Sequence, residues 1–132
     1  MKMKQLFILK ECIGVVKNPS DLFNKVRKIN IDHKQENMIV VFLDNKLQMI
    51  HSEVVFKGGL NACYVDPRTI FRKALEKNAA KIILAHNHPS GCLEPSDEDR
   101  QVFNLMKEAG QMINIIVMDF IIFNEKEYFS LD

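Results

Sequence analysis

Apolar and polar residues are arranged along this chain in blocks of two kinds, and the blocks predict its elements. Met38 to Leu43 is an unbroken apolar run, the pattern of a central strand buried on both faces. Asp44-Asn45-Lys46 turns the chain, and Leu47 to Phe56 returns as a neighbouring strand. Lys81-Ile82-Ile83-Leu84 is apolar, rich in β-branched residues and closed by turn formers, so it also reads as a buried strand. Ile115 to Phe123 is a further strand, broken at Asp119, where an acid among apolar residues is costly unless paired. Leu6 to Leu9 and Ile13 to Val16 are expected as short strands on either side of Lys10-Glu11-Cys12.

Three segments carry the helical period instead. Pro19-Ser20-Asp21 opens a first helix whose stripe is Leu22, Val26 and Ile29. Asp66 is an N-cap and Pro67 a first helical position, so a second helix runs from about Arg68 to Asn78 with Ile70, Phe71, Ala74 and Leu75 in the core. A third begins after Pro95, with Ser96 as N-cap and Asp97, Glu98 and Asp99 in its first turn. Val102, Phe103, Met106 and Ala109 follow at helical spacing, and Gly110 is placed to end it. The order of elements predicts a mixed α/β fold.

Length and charge narrow the possibilities. The 132 residues suit one domain, 1–132, with no Gly/Ser/Pro linker, repeat or low-complexity stretch. A net charge of +1, well mixed, contains no basic block of the kind that marks nucleic-acid or membrane binding. The run Ile113 to Phe123 is interrupted by Asn114 and Asp119 and is too short to span a membrane. The apolar part of Met1 to Ile8 is too short for a signal peptide, so a cytoplasmic protein is expected. Cys12, Cys63 and Cys92 are odd in number and form no C-x-x-C, against a disulfide scaffold or zinc ribbon.

Candidate chemistry is concentrated where the Lys81 strand ends. Residues two apart on an extended chain face the same way, so His86 and His88 aim at one spot just past that end. Pro89, Ser90 and Gly91 then turn the chain, and the helix starting at Ser96 can bring Asp99 beside the two imidazoles. Two histidines and a carboxylate, with a fourth position for water, are the ligand set of a catalytic zinc site. Each piece has an ordinary reading by itself: a polar strand end, and a Ser-x-x-acid cap favoured by the helix dipole. Their convergence on one point is what favours a metal. Cys92, in the intervening turn, reads by default as a free thiol, with a role as fourth ligand the alternative. A zinc hydrolase also needs a carboxylate that takes a proton from the bound water. Glu36, at the entrance of the central strand, and Glu53, on the returning strand, both qualify, and periodicity does not choose between them. His33 and His51 have no matching partners and read as surface residues.

His86-x-His88, seven residues, Ser96, two residues and Asp99 resemble the motif of the JAB/MPN+ (JAMM) metalloproteases. The longer string His86-Asn87-His88-Pro89-Ser90-Gly91 with Pro95-Ser96-x-x-Asp99 is similar to the bacterial RadC branch of that family. Asp66-Pro67-Arg68, Ala79 to Ala85 and the ending Tyr128-Phe129-Ser130 extend the likeness, which runs from about Ser20 to the C-terminus. The resemblance implies a curved β-sheet flanked by helices, of cytidine-deaminase-like architecture. It implies zinc (Zn2+) held by His86, His88 and Asp99, and hydrolysis of a peptide or isopeptide bond with zinc-bound water as nucleophile. Glu36 is the general base by that likeness, because the family's glutamate precedes the first buried strand after the first helix. Ser96 would hold the oxyanion as well as cap the helix. The strand edge by Gly58-Gly59 is, in this family, where an extended peptide could pair, although a simple turn accounts for the two glycines. RadC relatives usually show Asp-His where this chain has Asp119-Phe120, a departure that removes a polar group.

The resemblance also supplies the rivals. RadC proteins are named for DNA repair, but their fuller-length forms carry a helix-hairpin-helix module for which this chain has no room. With its mild charge, direct nucleic-acid binding is not expected. Metal-free MPN scaffolds have lost ligands that this chain retains. The expected partner is a peptide or protein substrate.

Overall fold

The structure is a computed structural model and describes residues 14–58 and 65–132. Its elements, in chain order, are α1 (Pro19–Val26), β1 (Glu36–Leu43), β2 (Met49–Gly58), α2 (Pro67–Glu76), β3 (Lys81–Asn87), α3 (Asp97–Met112), β4 (Ile116–Phe123) and β5 (Tyr128–Ser130). The strands form one sheet in the order β2-β1-β3-β4-β5. Only the β3–β4 pair is parallel; β1–β2, β1–β3 and β4–β5 are antiparallel. Parallel neighbours need a crossover, and α3 supplies it. Its N-terminus therefore lies by the carboxyl end of β3.

Strand alternation then assigns every side chain to one of two layers. Met38, Val40 and Phe42 of β1, Ile82 and Leu84 of β3, and Phe120 and Ile122 of β4 pack with Ile70, Phe71 and Ala74 of α2 and with Phe103 and Met106 of α3. Ile39, Val41, Leu43, Ile83, Ala85, Ile121 and Phe123 face the other way, onto Leu22, Phe23 and Val26 of α1. The sheet is thus covered on both sides, as the unbroken apolar run of β1 requires: all eight of its residues are buried. The predicted mixed α/β architecture is the observed one. Among the described residues, no helix is long and apolar enough to cross a membrane.

The helix starts follow their caps. Asn18 Oδ1 accepts from the Asp21 N–H at 2.9 Å and Asp66 Oδ1 from the Arg68 N–H at 3.0 Å, each with proline next in the chain. The boundaries depart from expectation in physically explicable ways. α1 ends at Val26, leaving Ile29 partly buried beyond it, and α2 ends at Glu76, with Asn78 in the left-handed region at φ 56°. Leu47, at φ 64°, belongs to the turn, so β2 begins at Met49. Leu75 is 59% exposed and lies outside the core. β3 continues through His86 to Asn87, so the first histidine is in the strand and not past it.

Gly110 does not end α3, which continues to Met112 and closes at Ile113, with Asn114 at φ 59°. Its glycine has a packing reason: the Ile115 N–H returns to the Gly110 carbonyl at 2.9 Å, and a Cβ there would collide with the Ile115 carbonyl oxygen. Nor is β4 broken at Asp119. The ladder to β3 slips between Ile82 and Ile83 and then continues. Burial raises the Asp119 carboxyl above its ordinary value, against three donors that favour its charge: Ser130 Oγ at 2.6 Å and the N–H groups of Phe120 at 2.7 Å and Asp132 at 3.2 Å. The acid ties the chain end to β4. Of the two N-terminal strands expected, Leu6 to Leu9 and Ile13 lie outside the described residues; Val15 bridges Gln48, and the Val16 N–H bonds the Leu47 carbonyl at 2.8 Å. Gly59, Cys12 and Cys63 also lie outside them.

Gly110→Ala should destabilise the domain by about 2 kcal/mol or more, since backbone and not a flexible side chain must give way. Urea unfolding of the two proteins checks this.

Candidate metal centre

Register alone brings the chemistry together. Met38 pairs with His86 across the β1–β3 ladder, so continuing the antiparallel match by two residues sets Glu36 across from His88. All three share the face on which α3 packs. The α3 N-terminus completes the group through a capping box: the Asp99 N–H donates to Ser96 Oγ at 3.0 Å, and the Ser96 N–H donates to Asp99 Oδ2 at 2.8 Å.

The Asp99 carboxylate reaches both imidazoles. Its Oδ1 lies 2.8 Å from His86 Nδ1 and its Oδ2 lies 3.0 Å from His88 Nε2. On the other side of the ring, His86 Nε2 lies 3.4 Å from Glu36 Oε1. Glu36, His86 and His88 each offer one ligand atom within 4.8 Å of the others. Glu36 and Asp99 are 4% exposed and His86 3%. Burial pushes the Asp99 carboxyl up, but hydrogen bonds from His86, His88 and the Ser96 N–H outweigh it and hold the group well below the carboxylate range. The hydrogen bond to Asp99 raises His88 above its ordinary value, against desolvation. This agrees with the partners: His88 Nδ1 faces the Cys92 carbonyl at 3.0 Å and Nε2 faces a carboxylate, and both of those only accept.

The residues fit a divalent cation. Imidazole nitrogens and carboxylate oxygens are zinc donors. The Cys92 carbonyl fixes the His88 tautomer from the Nδ1 side, which turns Nε2 inward as a ligand needs. Glu36 Oε2 is buried with no hydrogen-bond partner among the described residues. An uncompensated carboxylate oxygen at that depth is costly without a cation or water. The cleft over the group has a volume of about 450 Å³ and is lined by Ser90, Ser96 and Val102 beside the centre.

Other candidates lie elsewhere. Glu53 pairs with Lys73 Nζ at 2.6 Å and His51 Nε2 at 3.2 Å on β2, and the Lys73 hydrogen bond above all lowers its carboxyl. That also corrects the reading of His51 as partnerless: it bonds Glu53 and stacks on Phe42 at 5.8 Å. His33 is half-buried beside a separate hollow of about 270 Å³. Cys92 is an exposed free thiol outside the metal-capable group, and its backbone carbonyl is what touches the centre.

One contributor went unread in the sequence. Asn87, between the histidines, points to the opposite face, where its Oδ1 accepts from the Asn37 N–H at 2.7 Å and its Nδ2 donates to the Gln35 carbonyl at 2.8 Å. This latch fastens the entrance of β1, and so Glu36, to the end of β3. A polar residue at each of two facing strand positions was the available signal. Phe120, marked in the sequence as the place where a polar group is lost, does border the centre: its buried ring stands 6.3 Å from that of His86 at 70° and 6.0 Å from that of Phe103. It walls the site with hydrocarbon.

A mixed sheet with two histidines and two carboxylates gathered at the carboxyl end of one strand defines a candidate metal-binding α/β domain. The pattern of the RadC-like JAB domain matches residues 16–132, and the chain belongs to that family. A relative from Listeria monocytogenes serovar 1/2a is 43% identical over 117 residues, 89% of this chain and 52% of its own length. One from Clostridium perfringens strain 13 is 40% identical over 120 residues, covering 88% and 51%. One from Halalkalibacterium halodurans is 38% identical over 117 residues, covering 89% and 50%. All three bear the name UPF0758 protein, which describes no activity. The chain spans about half the length of the curated relatives it matches.

Asn87→Ala should cost about 1–3 kcal/mol, the price of leaving the Asn37 N–H without its acceptor. It should also weaken metal binding, because Glu36 and the histidines lose their common anchor. Denaturation and metal titration of the variant test the two halves separately.

Proposed function

We propose that this domain is a zinc-dependent hydrolase of peptide or isopeptide bonds, with His86, His88 and Asp99 as metal ligands. The observation that carries the reading is one buried cluster, at the floor of an open cleft, in which Asp99 contacts both imidazoles and Glu36 keeps an unpartnered oxygen. A zinc ion bound there supplies Lewis acidity toward a carbonyl and lowers the pKa of a bound water toward ~7.

The chain's own groups do the rest. Glu36 Oε2 takes the proton of the attacking water and returns it to the departing amine. The Ser96 hydroxyl accepts from the Asp99 N–H, which leaves its own proton to donate toward the oxygen that gains charge. Phe120 and Met38 keep the floor apolar, which strengthens those contacts. The substrate is a peptide or protein.

A second reading exchanges the two carboxylates. Because Glu36, His86 and His88 are the residues whose ligand atoms lie mutually within 4.8 Å, Glu36 would be the third ligand and Asp99 the outer partner that orients the imidazoles. Metal analysis after zinc loading separates them. On the first reading one ion per chain binds to wild type, metal is lost in His88→Ala and in Asp99→Asn, and Glu36→Gln keeps metal while turnover falls by at least ~100-fold. Loss of metal in Glu36→Gln with retention in Asp99→Asn would favour the second. Retention in all three would overturn both.

A further inference from the structure

The cleft above the metal centre is acidic in a way the centre itself does not use. Its described lining includes four carboxylates, Glu36, Glu94, Glu98 and Asp99, and no lysine or arginine. Glu36 and Asp99 belong to the centre. Glu94 and Glu98 are exposed at the mouth, and among the described residues neither has an ion-pair partner. The chain as a whole carries +1, so this is local placement and not the overspill of an acidic protein. The helix dipole gives a reason for an acid at Glu98, in the first turn of α3, whereas Glu94 lies outside the helix.

The floor of the same cleft carries an unsatisfied buried group: Glu36 is 4% exposed and its Oε2 has no hydrogen-bond partner among the described residues. A neighbouring hollow shares His88 and is lined by Glu125, Lys126 and Glu127, two acids against one lysine.

From this the geometry points to a cationic substrate: a peptide carrying lysine or arginine beside the bond to be cut, with Glu94 and Glu98 selecting for that charge. The inference rests on the hydrolase reading for the word substrate, and on the cleft alone for the preference in binding. Exposed carboxylates act at high dielectric, so they set preference and encounter more than raw affinity, and salt screens them. The same field disfavours phosphodiester backbones.

The test titrates zinc-loaded protein with two hexapeptides that differ only in a central Lys-Arg or Glu-Glu pair. Binding is followed by amide shifts of Glu94 and Glu98, and cleavage in the same tube by mass spectrometry. The Lys-Arg peptide should bind about tenfold more tightly, with the ratio falling toward one in Glu94→Gln/Glu98→Gln and in about 0.5 M salt. Equal binding of the two peptides, or a ratio unchanged in the double variant, overturns the inference. Preference without cleavage of either peptide sinks the hydrolase reading and leaves the charge selection standing.

Discussion

One carboxylate holds this site together. Asp99 accepts from the backbone of its own helix cap and from both histidines, so a single side chain joins the start of α3 to the end of β3. A capping interaction stabilises by about 1 kcal/mol, a modest sum, but here it also fixes where a charged group stands. Moving that carboxylate would unmake the helix start and the site at once. The arrangement explains why the acid stays ionised at depth: burial opposes the charge, and three converging donors overcome it.

The rest of the fold reads as support for that junction. The parallel β3–β4 pair demands a crossover helix, and its return places the α3 N-terminus over the strand end. The β1 ladder sets Met38 against His86 and carries Glu36 into range. On the far face, Asn37 and Asn87 clamp the same two strands, so the site is fixed from both sides of the sheet.

Much of this was legible in the sequence because it depends on local rules. The unbroken run of β1, the period-two placement of His86 and His88, and the caps at Asp66 and Ser96 follow from chemistry within a few residues, and the reach of Asp99 follows from where its helix starts. What escaped depends on how the chain folds back on itself, which no periodic pattern announces. Gly110 looks like a helix stop until the Ile115 carbonyl is seen folded back upon it. Asp119 looks like a break until Ser130 and the Asp132 N–H arrive from the chain end. Leu75 satisfied the helical stripe, but nothing among the described residues covers it, and it remains exposed. Between Glu36 and Glu53, periodicity was silent and the family resemblance favoured Glu36; in the fold Lys73 and His51 hold Glu53 on β2, while Glu36 faces His86.

Anomalous diffraction from crystals of the zinc-loaded protein bears most directly on the central claim. The expected map has one peak bonded to His86, His88 and Asp99 at about 2.0–2.2 Å, with Glu36 beyond bonding distance and open cleft on the fourth side. A peak placed elsewhere, or one enclosed by protein atoms on all four sides, would contradict it.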